Sequence, residues 1–177
     1  MAMTLITTNT ESGDATSSFT SGIDSTYKLY IFKFIDINPA TDDANFAFQT
    51  STDGGSNYNL TTTSTFFRAK LQEDGDGGNL GYETGYDFAN STDFIRLSVG
   101  IGNGSDESTA GTMWLFNPSG STYVKHWYSR FHMLHETNQS WDNFAAGYVN
   151  TTSDIDAIQF KMESGNMDGT IKMYGVG

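Results

Sequence analysis

The sequence predicts an all-β chain, an antiparallel two-sheet sandwich of jelly-roll type, on three observations. Thr, Ser, Asn and Gly occupy 73 of the 177 positions, and these residues favour turns and strands over helix interiors. No window of a dozen residues carries a 3.6-residue apolar period. Short apolar runs recur instead between Gly-rich or Asn-rich turns, without helical segments to make parallel crossovers. A chain of this length forms one domain with a sizeable core, and the 14% aromatic content supplies buried area that a disordered chain lacks.

Residues 1–26 are rich in Thr, Ser and Gly with isolated apolar residues at Leu5, Ile6, Phe19 and Ile23. They are expected to form an arm or edge strand, with Leu5, Ile6 and Phe19 as its assembly contacts, ahead of a single β-sandwich domain over 27–177. Tyr27–Ile37 is apolar on both alternating faces, the pattern of a central strand covered on two sides. Asn38-Pro39 should end it, because proline donates nothing to a ladder. Further strands are expected at Asn45–Thr50, Thr65–Leu71, Asp93–Val99, Thr112–Phe116, Tyr123–His135, Phe144–Val149, Ile155–Met162 and Thr170–Val176, nine in all. Phe32, Phe34, Ile95, Leu97, Phe160 and Ile171 are the expected core.

The formal net charge of −12 repels phosphates, and the nine basic residues are scattered singly, so nucleic acid and anionic membranes are not expected partners. No apolar stretch approaches the 18 residues of a membrane span, and Met1–Thr7 lacks the basic flank and apolar run of a secretory signal. With no cysteine, disulfides, thiolate metal sites and a cysteine nucleophile are excluded.

Ser51-Thr52-Asp53-Gly54-Gly55-Ser56-Asn57-Tyr58 resembles the Asp-box hairpin of sialidase propellers and many other β proteins, where it is a turn device rather than a catalytic element. Asp74-Gly75-Asp76-Gly77-Gly78-Asn79 offers oxygens to a hard cation. It departs from an EF-hand loop, since asparagine is sixth and Gly85 stands where the twelfth-position glutamate belongs, so Asp74, Asp76 and Asn79 are weak calcium candidates. His126, His132 and His135 fall within ten residues, but a strand turns His135 away from the other two, and no third strong ligand beyond Glu136 is evident. No nucleophile elbow, P-loop or dinucleotide fingerprint occurs. Neither catalytic residues nor a cofactor are expected. Trp127, Tyr128 and Trp141 are candidate stacking residues for a glycan.

Ser21-Gly22-Ile23-Asp24-Ser25-Thr26-Tyr27-Lys28-Leu29-Tyr30, the hairpin Thr50–Ser56 and the ending Gly169-Thr170-Ile171-Lys172-Met173-Tyr174-Gly175 together resemble small virion structural proteins of marine tailed bacteriophages. The resemblance spans residues 20–177 and brings no catalytic residues. It implies a non-enzymatic tail-fibre, tail-tip or capsid-decoration subunit on the virion surface, made in the host cytoplasm and not exported by a signal peptide. Its expected partners are copies of itself, a trimer in the first instance, other virion proteins and a host surface glycan. A lectin-like carbohydrate-binding module is the alternative.

Overall fold

In the computed structural model, which describes residues 2–177, the alternating runs become thirteen β-strands, with no helix among the described residues. They are β1 (Met3–Asp14), β2 (Ser17–Phe19), β3 (Leu29–Pro39), β4 (Ala44–Ser51), β5 (Thr62–Gln72), β6 (Asn79–Tyr82), β7 (Phe88–Ser91), β8 (Ile95–Ile101), β9 (Thr109–Phe116), β10 (Lys125–His135), β11 (Gln139–Val149), β12 (Ala157–Met162) and β13 (Met167–Val176). Each of the nine expected strands has a counterpart, displaced by a few residues at its ends. The four extra strands are β1, β2, β6 and β7.

All pairings are antiparallel, and the main path runs β1-β13-β3-β9-β10-β8-β4-β12-β2, with β11, β5, β6 and β7 branching from β10. The all-β, antiparallel expectation is met, but the two separate sheets of a sandwich are not: hydrogen bonding is continuous, and the sheet nearly closes into a barrel. Continuity depends on the length of β10. Its Trp127–Met133 segment pairs with β9, and two residues further along its path His135 pairs with Ile101 of β8. At the seam, the Asn9 amide donates to Ser17 Oγ and the Ser18 carbonyl, both at 3.1 Å.

Alternation along β3 puts Tyr30, Phe32 and Phe34 inside and leaves Leu29, Ile31 and Ile35 on the outer face, so the strand is covered on one side rather than the expected two. β4 adds Phe46 and Phe48 to the interior, β10 Phe131, β12 Phe160 and β13 Ile171. The six expected core side chains are all buried. Asn38-Pro39 does not cut β3 short. Pro39 is its last residue, opposite Met167, and the irregularity lies earlier, where Asp36 takes a φ of 51° and the register slips between Phe34 and Ile37. A proline at a strand's end costs no ladder bond.

Residues 2–26 are built into the fold. β1 pairs with β13 along its length, so this segment is an edge strand rather than a free arm, while Met1 lies outside the described residues. Leu5 is exposed and Ile6 packs against the core, but Phe19 is 2% exposed, with its ring 5.6 Å from that of Phe32 and 6.2 Å from that of Phe160. Phe19 is therefore a core residue, not an assembly contact.

Candidate functional site

The Asp-box turn closes on itself. Ser51 Oγ donates to Asp53 Oδ1 at 2.6 Å, and the Asn57 backbone and side-chain amides donate to the two Asp53 oxygens at 2.9 and 2.7 Å. Gly54 and Gly55 take φ of 70° and 83°, and a Cβ on Gly55 would meet the Tyr58 hydroxyl at 2.6 Å, so the turn requires glycine for both conformation and space. With every Asp53 oxygen engaged inside the loop, the motif is a structural clasp. The Asn57 and Ser51 hydrogen bonds hold the Asp53 carboxyl down at about 2. A lowered carboxyl pKa stabilises the fold above the ordinary carboxylate range, and the contribution fades as pH falls toward 2. In a carboxyl-carbon NMR titration, Asp53 should have its midpoint near 2, and Asn57→Ala should move it toward 3.8; an unmoved midpoint would show that Asn57 is not the main cause.

The Asp74–Asn79 loop gathers less than its sequence offers. Asp74 accepts the Asp76 backbone N–H at 2.9 Å, and Asn79 opens β6 opposite Lys70. Among the described residues this loop brings together no three carboxylate or histidine ligand atoms. A group that the sequence hid lies elsewhere: Asp43, from the turn between β3 and β4, joins His135 and Glu136, with ligand atoms within 4.8 Å of one another. The imidazole is already engaged there. His135 Nδ1 lies 2.8 Å from the Thr137 hydroxyl and accepts the Thr137 N–H at 3.2 Å, capping the β10–β11 turn, and burial pushes its pKa down. His126 and His132 are exposed on the opposite face of β10.

The three candidate stacking residues separate by strand parity. Trp127 is 2% exposed, with its ring 4.8 Å from that of Phe48. Trp141 is 6% exposed and clamped between the Arg68 guanidinium and the His135 ring, each at 3.8 Å. Neither ring is open to solvent. Tyr128 alone is outward, 44% exposed.

Tyr128 belongs to a surface that sequence reasoning missed. Its ring stacks on Trp114 at 4.6 Å and 24°, and Phe116 lies 5.6 Å away. One cross-strand row of outward residues runs Leu5, Tyr174, Ile31, Trp114, Tyr128, Ala146, Thr65, from β1 to β5. A second joins His126, Tyr148 and Thr63. Between these rows lies a groove of about 360 Å³ lined by Thr63, Ser64, Thr65, Phe116, His126, Trp127, Tyr128, Ala146, Gly147 and Tyr148. Its depth comes from the smallest residues of β11. Ala146 leaves space beside the Tyr128 ring, and Gly147 lies so close to β5 that a Cβ would overlap the Thr63 carbonyl. No lining residue carries a carboxylate, lysine or arginine.

Comparison with protein-family models and with curated proteins returns no match.

Proposed function

We propose that the chain is a non-enzymatic structural subunit of a phage virion surface, assembling with copies of itself and with other virion proteins through its β1 edge. The supporting observation is the character of that edge. β1 is a twelve-residue strand paired on one side with β13, its other side meeting β2 only around Asn9. Its Met3–Thr10 segment contains no charged residue and no proline, two of the devices by which monomeric proteins blunt an exposed edge, and its one irregularity of register lies between Leu5 and Thr7. Met3 and Leu5 are about half exposed, and Val176, Tyr174, Leu29 and Ile31 continue an outward apolar surface across β13 and β3. Such an edge suits addition of a neighbour's strand in a symmetric ring.

The family resemblance supports the virion assignment, and a jelly-roll reading fits the same chain. β2, β12, β4 and β8 make one layer whose ladder pairing with the rest, among the described residues, is the His135–Ile101 pair. Removing that pair conceptually leaves two facing sheets around the phenylalanine core.

Sedimentation tests the assembly reading. The wild-type chain should sediment as a defined oligomer, and Met3→Lys/Leu5→Lys should shift it to a smaller species with little change in melting temperature, because both side chains are exposed. Equal sedimentation of the two proteins would remove the β1 edge from the interface. Antibody raised against the chain should decorate purified particles.

A further inference from the structure

A groove with one aromatic wall, a floor of two small residues and an opposite wall of threonines has the chemistry of a sugar site. A pyranose ring has an apolar face that stacks on an aromatic ring and an equatorial edge of hydroxyls that bonds to other hydroxyls and imidazoles. Here one face of Tyr128 is covered by Trp114, and the ring borders the space over Ala146. Thr63 and Thr65 stand across that space on β5, their hydroxyls donating to Asn90 Oδ1 and the Ala146 carbonyl and keeping lone pairs to accept from a ligand's hydroxyls, with His126 and Tyr148 at one end, their rings 6.3 Å apart. The volume of about 360 Å³ lies within the range of small-ligand sites.

Charge selects among saccharides. The chain carries −12 overall, a field that repels uronates, sialates and phosphates, while the groove holds no cation to attract them. We infer that this groove on the outer face of β10, β11 and β5 binds a neutral saccharide, its ring against Tyr128 over Ala146–Gly147 and its hydroxyls facing Thr63, Thr65, His126 and Tyr148. The site stands apart from the β1 edge, with β13, β3 and β9 between β1 and β10, roughly 19 Å at ordinary strand spacing.

The test is titration of the full chain with neutral gluco-, manno- and galacto-oligosaccharides and with alginate oligomers, followed by tryptophan fluorescence and calorimetry. At least one neutral series should bind saturably, and alginate should not. Tyr128→Ala should weaken binding at least tenfold, and Ala146→Leu, which fills the groove from an exposed position, should abolish it. Tyr123→Ala, which removes a 74% exposed ring outside the groove, should bind like wild type. The Met3→Lys/Leu5→Lys protein should bind normally whether or not it assembles, which keeps this inference separate from the assembly reading. Three outcomes would overturn it: no neutral saccharide saturating the wild type, groove variants binding as wild type does, or groove variants changing the sedimenting species, which would make this face a contact between copies.

Discussion

Replacing Phe160 by Ala is expected to cost about 3–5 kcal/mol of stability, the range for deleting a buried aromatic ring. The ring is fully buried on β12 and lies 5.0–6.4 Å from five other phenylalanine rings: Phe19 on β2, Phe32 and Phe34 on β3, and Phe46 and Phe48 on β4. It therefore joins both layers of the wall, and no single neighbour can move to fill the vacated space without leaving another ring. For a chain of this size the loss corresponds to a melting temperature lower by about 6–20 °C. Phe160→Leu keeps much of the apolar volume and should cost clearly less. Chemical denaturation of the three proteins checks the order, and a cost below about 1 kcal/mol for the alanine variant would remove Phe160 from the centre of the core.

The core was legible because it is written in alternation. Phe32 and Phe34 two residues apart, Ile95 and Leu97 likewise, can share a face only on a strand, and the structure buries all four. β2, β6 and β7 were not legible, being three or four residues long, too short for a period to show. Parity also separates the three aromatic candidates. Trp127 and Tyr128 are consecutive on one strand and cannot both face outward, and the register that sets Met133 opposite Trp141 turns Trp141 to the same side as Trp127. The groove itself depends on register among β10, β11 and β5. Ala146 and Gly147 matter because of what stands across from them, and a single strand read alone carries no trace of that.

Deleting residues 1–20 is expected to unfold the protein, or to lower its melting temperature by at least about 10–20 °C, rather than to release a folded domain from an arm. The segment contains two strands of the sheet. β1 covers the β13 edge along ten residue pairs, and β2 pairs with β12 through Ser17, Ser18 and Phe19. Loss of the Phe19 ring alone removes an edge-to-face partner of both Phe32 and Phe160 and costs on the order of 3–5 kcal/mol. Removing β1 further exposes the backbone groups of β13, a strand whose Ile171 and Met173 are fully buried. The sum takes a large share of the roughly 5–15 kcal/mol that holds a domain together. Phe19→Ala isolates the packing contribution, since it leaves β1 in place; it should show part of the loss. The comparison is made by thermal melting with circular dichroism. A truncated chain that melts cooperatively within about 3 °C of the full-length protein would show that β1 and β2 are dispensable for folding, and the arm would regain its place as a separate assembly device.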